Sequence, residues 1–248
     1  MRTEQKKYNT LWEREWKILH KIGPSVRSRN RILLRLFKKY IQNGSVLDSG
    51  CGDGTFLELL HHEYGEKLEY DASDFSETAI KLTRELSFVR KTYMTDLEDE
   101  TSFPKMKYDA VISSEVLEHI KNWKLALKNL LNHVKENSFI FITVPHGMKF
   151  FGVNDEFANH YRRFEIGQIE NELKGWGFEI KESICWGFPA YWLYYTLILN
   201  NTQPQENMSA KHITFKKIIS TFLYLIFHID DLFNNNLGRR LFIVAQKK

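Results

Sequence analysis

A glycine-rich turn follows the first short apolar segment of the chain. Gly50, Gly52 and Gly54 come shortly after the apolar pair at 46–47, and the acidic residue Asp48 precedes them. A strand that ends in such a turn lets a ligand approach the backbone closely, and ligands bind at this edge of an open α/β sheet. The spacing is not the G-x-G-x-x-G of dinucleotide-binding proteins. The acidic residue would repel a pyrophosphate and suits a cationic ligand; a tight turn without a ligand is the alternative.

A second group of reactive side chains lies near the middle of the chain. Glu115, Glu118 and His119 have the i, i+3, i+4 spacing that places side chains on one face of a helix. Two carboxylates and an imidazole on one face can bind a divalent cation. His146, further along, would then complete the ligand set. In the alternative, these side chains line the substrate side or brace the helix without a metal.

Strands and helices alternate along the part of the chain that carries these residues. The predicted strands are 46–47, 68–73, 88–94, 108–113, 139–144, 178–185 and 241–245, and the predicted helices include 76–86, 116–135 and 165–174, with Ser76 as an N-cap. Two further helices over 8–42, split at Gly23-Pro24, precede them. The alternation predicts an α/β fold with a doubly wound, mostly parallel seven-stranded sheet and helices on both faces.

Length, charge and cysteine content narrow the function classes. The 248 residues suit one large domain with embellishments. The net charge of +4, from 35 Lys and Arg against 31 Asp and Glu, comes without a dense basic run, so we expect no nucleic-acid partner. Cys51 and Cys185 are expected to be reduced and buried. No signal-peptide core or apolar run of roughly 18–20 residues is present, which predicts a cytoplasmic protein.

The order of these segments resembles that of class I S-adenosylmethionine-dependent methyltransferases over roughly residues 45–185. The resemblance rests on four motifs in the expected order, which are Leu47–Gly54, Asp71–Ser76, Asp96-Leu97 and Tyr108–His119. Gly175–Phe178, before the sixth predicted strand, is also common in the family. Ser49 departs from the family, in which an aliphatic residue is commoner at this place. The resemblance implies a Rossmann-like methyltransferase fold that binds S-adenosylmethionine.

The resemblance also implies which residues bind the cofactor. They are Asp48, Gly50, Cys51, Gly52, Gly54, Asp74, Phe75, Asp96, Leu97 and Ser114. Asp74 would accept hydrogen bonds from both ribose hydroxyls, and Phe75 would pack on the adenine. Asp96 would bind the adenine amino group beside the Leu97 backbone. The glycines and Ser114 would lie near the methionine part. Helix caps or solvated turns are the alternative roles for the two aspartates.

Catalysis in this family demands alignment and a base, because the cofactor carries the reactive methyl group. His119, His146 and His160 are the candidate bases, since histidine titrates near neutral pH. The segment Tyr161-Arg162-Arg163 is similar to one in methyltransferases that act on glycans and lipid-linked intermediates. There the arginines would hold an anionic group such as a phosphate. Ordinary surface charges ahead of a helix are the alternative.

Three functions are compatible with this pattern. The first is methyl transfer, on oxygen, to a small-molecule or lipid- or glycan-linked acceptor. The second is metal-dependent O-methylation of a quinone precursor or an RNA end, because the segment 115–119 is similar to one that holds a metal in such enzymes. The charge distribution speaks against RNA. The third is a non-catalytic cofactor-binding scaffold. The sequence leaves the oligomeric state open.

An apolar insert separates the sixth and seventh predicted strands. Residues 187–199 and 218–229 are apolar nearly all round. They are predicted to form a lid over the substrate pocket or an element that lies in a membrane interface, where Trp and Tyr are favoured. A peripheral contact with the inner membrane face through 187–229 is thus the alternative to a lid. The predicted organisation is a helical cap (1–43), an α/β core (44–186), the insert (187–238) and a final strand (239–248).

Overall fold

The structure, a computed structural model, describes residues 21–199 and 213–248. Its centre is a seven-stranded sheet in the order β3-β2-β1-β4-β5-β7-β6. The strands are β1 (Gly44–Ser49), β2 (Leu68–Asp74), β3 (Val89–Met94), β4 (Tyr108–Ser114), β5 (Val134–Pro145), β6 (Phe178–Trp186) and β7 (Arg240–Lys247). All strands run parallel except β7, which is antiparallel to β5 and β6. The predicted doubly wound, mostly parallel sheet is therefore confirmed.

Helices cover both faces of this sheet. They are α1 (Pro24–Tyr40), α2 (Thr55–Tyr64), α3 (Glu77–Arg84), α4 (Trp123–Leu131), α5 (Val153–Ala158), α6 (Gln168–Gly175), α7 (Ala190–Leu197) and α8 (Ile213–Ile226). One apolar cluster joins Phe37 of α1 and Leu57 of α2 to Phe141 of β5, and the other joins Leu127 of α4 to Ile142. Phe141 and Ile142 enter different clusters because successive strand side chains point to opposite faces. The helix predicted before Gly23 lies almost wholly outside the described residues.

The order of the strands creates a crevice at the carboxyl ends of β1 and β4. The chain runs from β1 outward to β2 and β3 and then crosses back to β4, on the other side of β1. Connections that leave two neighbouring strands in opposite directions open a crevice between them, and ligands of α/β sheets bind there. The glycine turn follows β1 and Ser114 ends β4. The glycine turn and Ser114 therefore border this crevice.

The single helix predicted over 116–135 is wrong. The chain instead forms a 3-10 turn at Leu117–His119, then α4, and enters β5 at Val134. Ile120 has an extended backbone (φ −109°, ψ 125°), which a continuous right-handed helix cannot contain. Asn122 then begins α4 afresh, because its side chain accepts a hydrogen bond from a backbone N–H of the first turn. Pairing with β4 extends β5 further toward the N-terminus than the apolar pattern predicted.

The insert before β7 contains α7 and α8. Tyr191 of α7 stacks on Trp186 with ring centroids 5.4 Å apart, and Tyr195 packs edge-on against Tyr191. The buried carboxylate of Asp230 accepts hydrogen bonds from the backbone N–H groups of Ala190 (2.6 Å) and Tyr191 (2.8 Å). This carboxylate therefore caps the N-terminus of α7 and holds the helix on the core. Within residues 21–199 and 213–248, no helix combines the length and apolar character needed to cross a membrane.

Candidate functional site

The turn after β1 requires glycine for steric reasons. Gly50 and Gly54 have φ values of 83° and 77°, which L side chains rarely adopt. A Cβ atom on Gly50 would lie 2.3 Å from Cγ2 of Val116, so the turn packs directly on the segment that follows β4. The backbone N–H of Gly50 donates to the carbonyl oxygen of Ser73 (2.7 Å) in β2. The ends of β1, β2 and β4 therefore meet at this turn.

Asp74, the last residue of β2, braces the same turn. Its Oδ2 accepts from the backbone N–H of Gly52 (3.0 Å) and its Oδ1 from that of Ser76 (2.8 Å). Burial raises the pKa of this carboxyl, and the backbone donors Ser76, Gly52 and Phe75 oppose the shift. A carboxylate has about four lone-pair sites. Asp74 can therefore stabilise the turn and still accept hydrogen bonds from the two hydroxyls of a ribose.

Asp96 and Ser114 lie at the ends of the flanking strands. The backbone N–H of Thr95 donates to the carbonyl oxygen of Asp74 (3.0 Å), which places Asp96 next to the end of β2. Leu97 follows and is buried. Ser114 is half-buried at the end of β4. The strand order thus brings together polar groups that are up to forty residues apart in the chain.

Asp48 lies in β1 just below the turn. Burial, followed by the charge of Asp74, raises its pKa to about 7, and Arg29 opposes this shift. Cys51 is also buried, with its Sγ 3.6 Å from Oγ1 of Thr83, and burial raises the pKa of its thiol well above the usual value. Cys51 is therefore held as the neutral thiol, whereas Asp48 can ionise when a cationic ligand approaches.

Arg29 is a charged residue of this region that sequence reasoning missed. It lies on α1 and is only 7% exposed. Burial lowers the pKa of its guanidinium, and the charges of Glu115, Glu118 and Asp48 oppose that effect. Its position over the sheet edge results from the packing of α1 against β5. A local pattern of apolar and polar residues carries no such signal.

Glu115 forms an ion pair in the turn after β4. Its Oε2 accepts a hydrogen bond from Nη2 of Arg240 (2.8 Å). Burial by itself would raise the pKa of Glu115, but Arg240 and Arg29 outweigh it and hold the pKa below its usual value. The predicted helical face shared by Glu115, Glu118 and His119 is wrong, because the left-handed backbone at Glu115 and the short 3-10 turn replace the helix.

Glu118 and His119 lie side by side in the same turn. Glu118 is fully buried, and neither of its carboxylate oxygens has a hydrogen-bond partner in another described residue. Burial, followed by the charge of Glu115, raises the pKa of Glu118 well above its usual value. Burial, followed by the charge of His160, lowers the pKa of His119 to about 3. His119 is therefore a neutral imidazole at physiological pH.

His160 is oriented by a buried carboxylate. Its Nδ1 lies 2.8 Å from Oδ1 of Asp155, and Nε of Arg163 donates to both oxygens of Asp155 (2.9 and 3.0 Å). The backbone N–H of Tyr161 donates to the carbonyl oxygen of Glu118 (2.8 Å), which holds this loop against the turn after β4. As a result, Nε2 of His160 lies 4.0 Å from Oε1 of Glu118.

Glu118, His119 and His160 together have the donor set of a metal site. Each offers one ligand atom, and these atoms lie within 4.8 Å of one another. The two imidazole rings meet edge-on with centroids 4.6 Å apart. The cluster shares Glu118 and His119 with the metal site predicted from the sequence. His160, which is about forty residues further along, replaces Glu115.

His146 belongs to a different network. Its Nδ1 lies 2.7 Å from the carbonyl oxygen of Gly238 and 3.4 Å from Sγ of Cys185. Its Nε2 lies 3.7 Å from a carboxylate oxygen of Glu165. His146 is thus not among the ligand atoms that gather around Glu118, and the prediction that it completes the metal site is wrong.

The two arginines that follow His160 have different surroundings. Arg163 is buried and, besides holding Asp155, donates to the hydroxyl of Tyr195 (3.2 Å). Arg162 is less buried, and Tyr161 is 47% exposed. Arg163 is therefore committed to bonds inside the protein. Of the predicted anion-binding segment, Arg162 and Tyr161 are the side chains that remain near the surface.

Comparison with known proteins identifies relatives by sequence. A family model described as a methyltransferase domain matches residues 20–183. The chain is 29% identical over 181 residues to the ubiquinone biosynthesis O-methyltransferase of Rickettsia canadensis, and the match covers 66% of this chain and 75% of that relative. It is 31% identical over 132 residues to the protein of the same description from Rickettsia felis, over 52% of each chain.

Solved structures show the same fold. An N-methyltransferase, NodS from Bradyrhizobium japonicum in complex with S-adenosyl-L-homocysteine, superimposes with a TM-score of 0.57 at 13% identity, over 91% of this chain and 88% of the other. A SAM-dependent methyltransferase from Archaeoglobus fulgidus superimposes with a TM-score of 0.58 at 19% identity, over 94% and 99%. At these identities the likeness concerns the fold and not the acceptor.

Proposed function

The chain belongs to the methyltransferase domain family, and from that premise we propose that it methylates a hydroxyl oxygen of a small-molecule or lipid- or glycan-linked acceptor. It is an S-adenosylmethionine-dependent methyltransferase. The oxygen acceptor rests on one observation: Asp155 orients His160 so that its Nε2 faces the turn beside the cofactor residues. A hydroxyl must lose its proton, and histidine is suited to take it near neutral pH. The relatives named as O-methyltransferases support the same acceptor atom.

The carboxyl edge of the sheet fits S-adenosylmethionine. We assign the methionine part to the glycine turn, where Gly50 and Gly54 adopt φ values of 83° and 77° that let the chain turn sharply at the end of β1. We assign the ribose to Asp74, the adenine ring to Phe75, and the adenine amino group to Asp96 with the Leu97 backbone. The carboxyl of Asp48 suits a cationic ligand. When bound, the cofactor supplies a methyl group that its sulfonium activates.

We assign the role of general base to His160. Its Nε2 would accept the proton of the acceptor hydroxyl, and the carboxylate of Asp155 at Nδ1 would stabilise the imidazolium that forms. His119 is unsuited to this role, because a pKa of about 3 makes it a weak base. His146 is also unsuited, because its Nε2 faces Glu165, 3.7 Å away, and lies outside the cluster of Glu118, His119 and His160.

Calorimetric titration with S-adenosylmethionine and with its demethylated product tests the cofactor site. We expect Asp74→Ala to weaken binding at least tenfold, about 1.4 kcal/mol. Asp74→Asn is the matched variant, since it keeps the shape of the side chain and one acceptor oxygen while it removes the charge and the second acceptor. If well-folded wild-type protein bound neither compound, the proposal would be wrong at its first step.

Turnover with paired acceptors tests the methylated atom. Phenols and the corresponding anilines present the same ring with a hydroxyl or an amine. We expect methyl transfer to the phenol, and we expect His160→Gln to abolish most of it. Transfer to the aniline alone would contradict the assignment of an oxygen acceptor. Cofactor binding without turnover on any acceptor would favour a scaffold.

A metal-dependent reaction is the second candidate, and the cluster of Glu118, His119 and His160 supports it. Their ligand atoms are within 4.8 Å of one another, and the Glu118 carboxylate has no hydrogen-bond partner in another described residue. A divalent cation would supply the positive charge that lets this buried carboxyl ionise. Two imidazoles and one carboxylate favour manganese, iron, cobalt or zinc over magnesium. The cation would act by lowering the pKa of a bound hydroxyl.

Chelation separates the two candidates. If a metal is required, dialysis against a chelator should remove activity, and a divalent cation should restore it. Direct titration of the apoprotein with Mn²⁺ should show binding that Glu118→Gln weakens. Glu165→Gln is the matched control, because that carboxylate lies on the separate His146 network. Full activity after chelation, with no bound metal by elemental analysis, would leave the metal-free base mechanism.

The outer face of α8 supports a peripheral contact with an anionic membrane. Ile218, Phe222 and Leu225 share this face and are 65%, 64% and 60% exposed. Exposed apolar side chains on one helical face are typical of elements that lie in a membrane interface. The guanidinium of Arg27, on α1, packs over the ring of Tyr224, on α8, and lies 4.1 Å from the ring centroid. Arg27 and Arg35 of α1 line one groove with Tyr224 and would attract anionic headgroups.

Vesicle sedimentation tests this contact. We expect binding to phosphatidylcholine vesicles that contain phosphatidylglycerol, and little binding to phosphatidylcholine alone. Phe222→Glu should abolish binding, whereas Trp176→Glu, at a 48% exposed aromatic residue outside α8, should leave it intact. Equal sedimentation of the two variants would contradict the contact. A concentration-dependent dimer that Phe222→Glu dissociates would assign the face to a second copy of the chain.

A further inference from the structure

Arg239, the residue before β7, has a buried guanidinium whose donors are mostly unused. The residue is 5% exposed. Its Nη2 donates to Oγ1 of Thr196 on α7 (3.1 Å). Its Nε and Nη1 are buried and have no hydrogen-bond partner among the described residues. A guanidinium carries five N–H donors, so most of the hydrogen-bonding capacity of Arg239 is unmet.

Two aromatic rings pack on this guanidinium without meeting that need. Its central carbon lies 4.1 Å from the ring centroid of Phe150 and 4.0 Å from that of Tyr195. Cation–π attraction from such rings stabilises the charge. The N–H bonds, however, point outward in the plane of the guanidinium, where only an acceptor atom can satisfy them. The rings therefore position Arg239 and leave Nε and Nη1 without acceptors.

The charges around Arg239 leave an excess of positive charge. The guanidinium of Arg163 lies near the same Tyr195 ring, 5.6 Å from its centroid. Asp155 is the carboxylate of this cluster, and Arg163 occupies both of its oxygens. Two buried guanidiniums thus share one carboxylate among the described residues. A buried charge without a partner is unfavourable, and an anionic ligand would correct the imbalance.

Arg239 lies on the acceptor side of the site. The backbone N–H of His146 donates to its carbonyl oxygen (2.8 Å), so Arg239 sits beside the carboxyl end of β5. The next residue, Arg240, reaches Glu115 in the turn beside the cofactor residues. A chain of hydrogen bonds runs from the Tyr195 hydroxyl through Arg163 and Asp155 to His160. An anion bound at Arg239 would thus belong to a molecule that also reaches the catalytic region.

From this geometry we propose that Arg239 binds an anionic group of the acceptor, a carboxylate or a phosphate. The proposal rests on the O-methyltransferase function, because it assigns the acceptor specificity of the same site. Nε and Nη1 would donate to the oxygens of the anion, and the hydroxyl of the same molecule would face His160. Arg163, which the sequence suggested for this task, is already bound to Asp155.

Entry of the anion requires one of the covering rings to move, because Nε and Nη1 are inaccessible. Phe150 ends the short turn Met148–Phe150, which begins after Gly147 at a φ of 82°. Tyr195, by contrast, is fixed in α7, and its hydroxyl is bound to Arg163. Phe150 is therefore the ring that moves aside.

Calorimetry with three small probes tests the proposal in full-length protein saturated with S-adenosylhomocysteine. Benzoate and phenyl phosphate carry the two anionic groups, and benzamide is their neutral counterpart. We expect at least one anion to bind at least tenfold more tightly than benzamide, about 1.4 kcal/mol. Arg239→Gln should remove that preference, and Arg239→Lys should keep part of it, since it retains the charge without the planar donors. The two anions distinguish a carboxylate acceptor from a phosphate.

Three results would overturn the proposal. The first is the absence of any preference for the anions in the wild type. The second is a preference that Arg162→Gln removes and Arg239→Gln leaves unchanged, which would assign the anion to the surface. The third is a lower melting temperature in Arg239→Met with anion binding intact, which would make Arg239 only a brace for the aromatic rings. Wild-type protein that fails to bind S-adenosylhomocysteine would instead refute the proposed function.

Discussion

Replacing His160 by glutamine should separate the chemistry of the site from its stability. Glutamine can still donate a hydrogen bond to Asp155, which now lies 2.8 Å from Nδ1 of His160. The basic nitrogen Nε2, 4.0 Å from Glu118, has no counterpart in glutamine. General-base catalysis contributes roughly 10²- to 10⁴-fold to the rate. At about 1.36 kcal/mol per tenfold, the barrier should rise by about 3–5 kcal/mol.

The loss of stability should be much smaller. A hydrogen bond to a charged group contributes about 1.5–3 kcal/mol, and the glutamine amide restores most of it. Cofactor affinity should not change, because His160 lies on the acceptor side and not among the residues assigned to S-adenosylmethionine. The expected result is a loss of two to four orders of magnitude in kcat/KM with a small change in melting temperature.

The assay measures release of S-adenosylhomocysteine, with an acceptor that the wild type methylates, across the neutral pH range. His62→Gln is the matched control, since His62 is exposed on α2. The control should keep the kcat/KM of the wild type at each pH. A kcat/KM within threefold of the wild type would refute the role of His160 as base. Activity that excess Mn²⁺ restores to the variant would show that the side chain acts as a metal ligand.

Three further changes test the cofactor turn and the cap of α7. Burial raises the pKa of Asp48 to about 7, so its carboxyl is neutral below that pH and charged above it. Calorimetry should therefore show that affinity for the cationic cofactor rises with pH through about 7 in the wild type. The affinity of Asp48→Asn should not rise in this way. Gly50→Ala would place a Cβ 2.3 Å from Cγ2 of Val116 at a φ of 83°, and urea titration should show a loss of unfolding free energy. That loss should exceed the about 1–3 kcal/mol of left-handed strain alone. Gly177→Ala measures this strain, because Gly177 has a φ of 82° and its Cβ would meet nothing within 4 Å. Equal losses in the two variants would refute the steric argument. Asp230→Ala removes the acceptor of two N–H groups of α7. We expect the melting temperature to fall by an amount equivalent to about 0.5–2 kcal/mol. An unchanged melting temperature would mean that the cap does not hold the helix.

The strands could be predicted from the sequence because each is a local pattern. β1 and β4 are short apolar segments bounded by turn residues, and the structure has them within a few residues of the predicted limits. The Ser76 side chain accepts from the backbone N–H of Ala79 (3.2 Å), as the N-cap prediction requires. Such signals depend on the backbone of neighbouring residues, so they survive without knowledge of the tertiary structure.

The segment 115–122 shows where local reasoning fails. Its spacing suits a helical face, but the contact of Val116 with the glycine turn and the ion pair of Glu115 with Arg240 favour a tighter path. Arg240 is over a hundred residues away in the chain. No local pattern could reveal that partner, and so the helix and its shared face were predicted wrongly.

The fold class and the position of the glycine turn could be read from the sequence, because they follow from periodicity and from the steric needs of glycine, which are properties of short segments. The cofactor followed from the resemblance of four motifs to class I methyltransferases. Which polar groups meet on the acceptor side depends on the tertiary structure. His160 joins Glu118 and His119, and Arg239 comes to lie beside Arg163, because the crossing of strands and the packing of the insert bring distant segments together. Side chains that lie far apart in the chain become neighbours through burial, and burial is a property of the whole fold.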